Sequence, residues 1–153
     1  MAPIEHAPLR LMPQLSCWLN ESTISPDRQL PSLWRLTFPV NPLQFRKQAR
    51  LCAELSKQLS FENDREISLF LGIMPAIVPN EMDLWVRICS QNSTSFLPSN
   101  LKLMILDADR EVVMQATTRE THRLQLEFSG EIGEIFGIQL EFQNFKFSEQ
   151  FQI

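Results

Sequence analysis

Arg123-Leu124-Gln125-Leu126-Glu127-Phe128-Ser129, followed after a break by Phe136-Gly137-Ile138-Gln139-Leu140-Glu141-Phe142-Gln143, alternates apolar and polar residues with a period of two. That period puts successive side chains on opposite faces, so both stretches read as strands with one buried and one wet face. The break between them carries Gly130 and Gly133, which mark a turn. A third stretch, with Phe145, Phe147, Phe151 and Ile153 in phase, completes the ending of the chain.

Working back toward the N-terminus, Ile67, Leu69, Leu71 and Ile73 alternate with Ser68, Phe70 and Gly72, and Leu84, Val86 and Ile88 alternate with Trp85, Arg87 and Cys89. Leu101, Leu103 and Ile105 lead into the polar string Asp107-Ala108-Asp109-Arg110-Glu111, after which residues 112–117 read as a strand again. About seven strands at this spacing predict a mainly β protein, an antiparallel β-sandwich of immunoglobulin-like type. Residues 61–153 form that sandwich in this reading.

The earlier residues have a different pattern. All ten prolines lie at or before Pro98, and residues 1–40 read as an irregular, Pro-containing segment. Leu11, Leu15, Trp18, Leu33 and Trp34 are too apolar for a disordered tail, so the segment is expected to pack on the domain. Asn41-Pro42 is a helix start signal, and Phe45, Ala49, Cys52, Leu55 and Leu59 recur at helical spacing, which predicts one amphipathic helix over 41–60. A chain of 153 residues suits one structural domain, burying roughly 68–70% of its unfolded surface without a metal or disulfide staple.

Charge is divided unevenly. Residues 1–60 hold seven Lys/Arg against four Asp/Glu, and residues 61–153 hold seven against fourteen. An acidic strand region repels phosphates, so no nucleic-acid partner is expected. The basic cluster Arg46, Lys47 and Arg50 is the exception, read either as a solvated helix face or as an interaction site. No apolar run approaches the ~20 residues of a membrane-spanning helix, and the N-terminus lacks the pattern of a signal peptide. The expectation is a cytoplasmic protein with no membrane partner. Cys17, Cys52 and Cys89, odd in number and widely spaced, suit reduced cysteines.

Candidate chemistry is sparse. With only two histidines, His6 and His122, and no tyrosine, few catalytic pairs can form, and a Cys89–His122 pair would need both on one face of adjacent strands. Asp107, Asp109 and Glu111 have the spacing of hard oxygen ligands but lack the glycine and distant glutamate of a calcium loop, and hairpin turns attract Asp for backbone hydrogen bonding. The glycines at 130, 133 and 137 lie between strands beside Glu131 and Glu134, which is no phosphate loop. Glu149, in phase with the phenylalanines around it, is either a carboxylate paired with a buried Arg or an inward charge that protects an edge strand. Trp85 lies on the face opposite Leu84 and Val86, where it either anchors a partner or a sugar or is covered by the N-terminal part. No catalytic residue, cofactor or metal site is expected.

The run Leu97-Pro98-Ser99-Asn100-Leu101-Lys102-Leu103-Met104-Ile105-Leu106-Asp107, followed by Glu111-Val112-Val113, resembles a cyanobacterial family known only as a domain of unknown function. The likeness continues through Leu124-Gln125-Leu126 and Phe128-Ser129-Gly130-Glu131, Gly133-Glu134 with Phe136, and the terminal Glu149, Phe151 and Ile153. It covers residues 97–153, extends more weakly through 66–73 and poorly through 1–60, where Leu15-Ser16-Cys17-Trp18-Leu19 is similar to a Trp-containing segment of the family. The chain is shorter than typical members and has Arg110 where the family hairpin commonly has Gly.

The resemblance implies no activity or cofactor. It implies a cyanobacterial origin and a genetic neighbourhood of caspase-like proteases. The resulting expectation is a non-catalytic protein-interaction or accessory module with a protein partner, not an enzyme, with Trp85, Arg46, Lys47 and Arg50 as candidate interaction residues. The alternative is a carbohydrate- or small-ligand-binding sandwich, and the third reading is an enzyme.

Overall fold

A computed structural model describes residue 15 and residues 34–36, 53–60, 66–91 and 95–153. Nine strands run through them: β1 (Arg35–Leu36), β2 (Ala53–Ser60), β3 (Glu66–Pro75), β4 (Glu81–Ser90), β5 (Lys102–Leu106), β6 (Val112–Thr117), β7 (Arg123–Glu131), β8 (Ile135–Phe142) and β9 (Phe145–Gln152). They make two antiparallel sheets, one ordered β1-β2-β3-β4-β7 and the other β6-β5-β8-β9. The seven strands read from the sequence are β3 to β9.

Period-two patterning sets the two faces. Ile67, Leu69, Leu71 and Ile73 of β3 stand opposite Ser90, Ile88, Val86 and Leu84 of β4, and β4 in turn sets Leu84, Val86 and Ile88 against Phe128, Leu126 and Leu124 of β7. Leu103 and Ile105 of β5 and Ile138 and Leu140 of β8 do the same in the second sheet. These inner faces, with Leu15 and Trp34, share one buried core. Ring contacts tie the sheets together: Phe128 of β7 meets Phe136 of β8 edge-on at 5.2 Å, Phe136 stacks on Phe151 of β9 at 5.5 Å, and Trp34 meets Phe151 edge-on at 5.7 Å.

Two expectations are corrected. The strand order is not immunoglobulin-like: β2, β3 and β4 lie side by side as a meander with β7 beyond them, whereas an immunoglobulin sheet takes strands A, B, E and D. The helix expected over 41–60 is also not formed where it can be seen, because residues 53–60 are strand β2, paired along its length with β3 from Ala53↔Ile73 to Ser60↔Glu66. Residues 41–52 of that helix lie outside the described residues. The cause is Lys57. It falls in the inward row with Ala53, Leu55 and Leu59 and interrupts the alternation, leaving the spacing of Leu55 and Leu59 to imitate a helix.

Lys57 is tolerated there because β9 answers it. Its ammonium lies 3.4 Å from Glu149 Oε1 and 4.9 Å from the centre of the Phe147 ring, and Trp34 Nε1–H donates to the same Glu149 oxygen at 3.1 Å. Glu149 is thus an inward charge on an edge strand, paired with a lysine that bridges the two sheets. Replacing either ion alone by Leu leaves the other poorly compensated between the sheets, where an unpaired charge is costly. In urea unfolding, Lys57→Leu and Glu149→Leu are each expected to destabilise, with a coupling of about 0.5–3 kcal/mol recovered in the double variant. Strict additivity would show that the pair carries no interaction.

The β5–β6 hairpin explains the acid-rich loop. The Asp107 side chain accepts backbone hydrogen bonds from Asp109 and Glu111, each 2.9 Å, so its carboxylate organises the turn. Arg110 has φ 66°, the left-handed position that such hairpin loops commonly give to Gly. A residue with a Cβ is strained there, offset in part by the greater unfolded-state freedom of glycine. Arg110→Gly should therefore raise the melting temperature, by a stabilisation on the order of 1 kcal/mol. A lower melting temperature would refute the backbone argument.

Candidate functional site

Trp85 is held in a cross-strand row on the outer face of the five-stranded sheet, in line with Glu54, Gly72 and Glu127. Its Nε1–H donates to Glu54 Oε2 at 2.9 Å, and Arg87 Nη2 reaches the same oxygen at 3.0 Å. The guanidinium of Arg87 lies 4.6 Å from the centre of the Phe70 ring. Glycine is required at position 72, because a Cβ there would come within 1.8 Å of the Trp85 ring. The indole is half-buried against backbone, with its polar atom engaged, which is the geometry of a packed strut more than of an open anchor. Arg46, Lys47 and Arg50, the other candidate residues, lie outside the described residues, as do Cys17 and Cys52.

His122 and Cys89 are not brought together as a pair. Cys89 lies opposite Arg123, while His122 places Nδ1 2.8 Å from the carbonyl oxygen of Ser95, so that nitrogen carries the proton, and its ring lies 4.7 Å from Phe96. Among the described residues no group of three or more His, Cys, Asp or Glu side chains is placed to hold a metal ion, and no helix is long and apolar enough to cross a membrane.

One group of exposed apolar side chains lies elsewhere, at the end of the fold where β3 turns into β4 and β7 into β8. The segment Met74-Pro75-Ala76-Ile77-Val78-Pro79-Asn80 carries Ile77, 84% exposed, and Val78, 52% exposed. Ile132, in the neighbouring turn, is 42% exposed. Aliphatic side chains at this exposure lose the free energy that burial would supply, roughly 25 cal/mol per Å².

This tip is built, not loose. Ala76 N–H donates to the Glu81 carbonyl at 3.0 Å and Glu81 N–H to the Val78 carbonyl at 3.2 Å, with Asn80 accepting the left-handed φ of 67° that the turn requires. Ile132 N–H then donates to the Asn80 carbonyl at 3.0 Å, which joins the two turns. The second turn is closed by Glu134 N–H to the Glu131 carbonyl, 3.0 Å, and Gly133 N–H to the Ile153 carbonyl, 2.7 Å. Gly133 takes φ 102°, a conformation suited to glycine.

Among the described residues of these two turns and the strand ends that carry them, the charged residues are all acidic. Glu81 lies directly opposite Glu131 in the β4–β7 register, with Asp83 and Glu134 close by in sequence, and no Lys or Arg occurs in 75–86 or 124–145. Like charges in register destabilise a sheet, so this row is a cost that the fold carries at its tip. Sequence reasoning missed the tip because it searched for polar chemistry. The signal was present as an isoleucine and a valine between two prolines, where turns ordinarily carry polar residues.

With this geometry in view, the family model for a protein of unknown function, DUF1822, is found to match residues 34–152. The chain belongs to that family. The DUF1822 match begins at Trp34 and takes in all nine strands, reaching well before the 97–153 stretch that carries the clearest resemblance. No curated protein and no solved structure matches the chain significantly.

If Glu81 and Glu131 repel across the strand pair, Glu131→Lys should stabilise the fold by about 0.2–1 kcal/mol, with a gain that shrinks as salt is added. Urea midpoints at low and high ionic strength measure it. A destabilised variant would mean that the two carboxylates do not oppose each other.

Proposed function

We propose that this DUF1822 chain is a non-catalytic protein-interaction or accessory module of a multi-component system, cyanobacterial as the sequence resemblance implies and cytoplasmic as its odd, widely spaced cysteines fit. Proteins of the caspase-like protease neighbourhood are the first partners to test. The observation that carries the reading is the aliphatic tip of Ile77, Val78 and Ile132, held by backbone hydrogen bonds beside the facing Glu81 and Glu131. An apolar centre with a polar rim is the usual composition of an interaction surface. Here the rim calls for a partner segment that offers apolar side chains flanked by Lys or Arg. The self-repelling Glu81–Glu131 pair fits the same reading, since a basic partner would neutralise it.

The alternative, carbohydrate or small-ligand binding on an open sheet face, rests on Phe70 and Trp85. Both are half-buried, Arg87 lies over the Phe70 ring and Glu54 takes the Trp85 indole N–H, so the tip is favoured over the face.

Ile77→Asp with Val78→Asp, both at exposed positions, should leave thermal unfolding within about 0.5 kcal/mol of the parent. Affinity capture from native extract with the parent and the double variant is then compared by mass spectrometry. A protein retained by the parent and lost by the variant is the expected result. An identical set of captured proteins would remove the tip as the interaction surface.

A further inference from the structure

The fold has a second ordered surface at the end away from the tip. Strand β4 runs from Glu81 at the tip to Ser90, and β7 returns from Arg123 to Glu131, so the two ends stand roughly 30 Å apart at ~3.4 Å per residue. At the far end the segment before β5 is joined to β4 and to the β6–β7 turn. Leu97 N–H donates to the Thr121 carbonyl at 2.7 Å, Ser90 N–H to the His122 carbonyl at 3.0 Å, and the Ser90 hydroxyl to the Ser95 carbonyl at 2.8 Å. Phe96 projects from this frame, 55% exposed, with its ring against His122. Arg119 and Arg123 are exposed in the same turn, with Glu120 between them. Among the described residues this end holds four cations, Lys102, Arg119, Arg123 and Lys146, and three acids, Glu66, Glu120 and Glu141. The tip end, including the 107–111 hairpin, holds seven acids and Arg110. The molecule is therefore polar along its strands.

We infer that the Ile77 tip docks on the Phe96 end of a second copy of this chain, head to tail. The inference rests on the tip as the interaction surface proposed above and names its occupant. Ile77, Val78 and Ile132 supply the aliphatic side of the contact and the free face of the Phe96 ring the other. Charge selects the orientation. A tip-to-tip contact would set Glu81, Glu131 and Glu134 against their own copies, and a contact between two Phe96 ends would set Arg119 and Arg123 against theirs. Like-charge juxtaposition opposes both, and head-to-tail docking brings the tip carboxylates to the arginines. Each surface is already ordered by its own backbone hydrogen bonds, so little conformational entropy is lost in the contact. A heterologous contact leaves one free end of each kind, so copies add in line along the strands. Three aliphatic side chains and one ring fall short of the roughly 1,200–2,000 Å² buried by a standard stable interface. Association is therefore a concentration-dependent equilibrium that weakens as salt screens the charges.

Sedimentation of the full chain over a concentration series, at low and high salt, tests this. A tip variant, Ile77→Asn with Val78→Asn, and a far-end variant, Phe96→Asn, are run beside the parent. The mean mass of the parent is expected to rise past that of a dimer, and to fall back with salt. Each variant alone should associate roughly tenfold more weakly or less still, since apolar burial is lost on one side of the contact. An equimolar mixture should recover a dimer and stop there, because the first variant keeps the Phe96 end and the second keeps the tip. Misfolding of either variant would not produce that recovery. A mixture that fails to dimerise overturns the inference, as does a parent that stops at a dimer or whose association ignores salt. A parent that stays monomeric while its tip still captures a protein from extract overturns the inference and leaves the proposed function standing. Association lost in Phe96→Asn and unchanged in the tip variant overturns it and counts against the tip as well.

Discussion

Four rings in series hold the two sheets in one arrangement. Phe128 belongs to the five-stranded sheet, Phe136 and Phe151 to the four-stranded sheet, and Trp34 precedes the first short strand; each touches the next in edge-on or stacked geometry. Such pairs contribute about 0.5–1.5 kcal/mol each beyond the burial of their area, and they connect parts of the chain separated by more than a hundred residues. Sheet pairing alone would leave two flat layers free to slide. The ring series sets their relative position, and with it the meeting of Lys57 on β2 with Glu149 on β9.

That ion pair shows how the fold accommodates a charge on an inner face. A lysine in a core-facing row is costly unless its ammonium is paired, and the pairing comes from the facing sheet, supplemented by the Phe147 ring and by the shared hydrogen bond from Trp34. The outer face repeats the device in a milder form. Glu54 on β2 gathers the indole N–H of Trp85 and the guanidinium of Arg87, and the absence of a side chain at Gly72 lets the indole lie close. Polar groups that would be liabilities singly are satisfied across strands.

At the tip the balance is different. Ile77, Val78 and Ile132 remain in water on a turn that is well bonded internally, and the nearest cross-strand pair is two glutamates. A fold selected for stability alone would reverse both features, since natural chains find stabilising substitutions readily at exposed positions. The proposed interaction role would make use of both, since apolar area that is already ordered loses little conformational entropy on binding.

The sequence by itself determined the seven strands from β3 to β9 and their inward rows, because each depends on local periodicity. It could not determine β2, since Lys57 breaks the alternation and only a carboxylate from β9 explains why it does. Nor could it distinguish Trp85 as strut from Trp85 as anchor: that rests on Gly72 and Glu54 standing in register beside it, a fact of strand pairing. The strand order, with three consecutive strands adjacent and β7 joining them, was likewise decided by tertiary packing, since alternation specifies which face is buried and leaves open which neighbour each strand takes. The same holds for the tip, where Ile77 and Ile132 share one end of the fold because two turns distant in sequence bond to each other through Asn80.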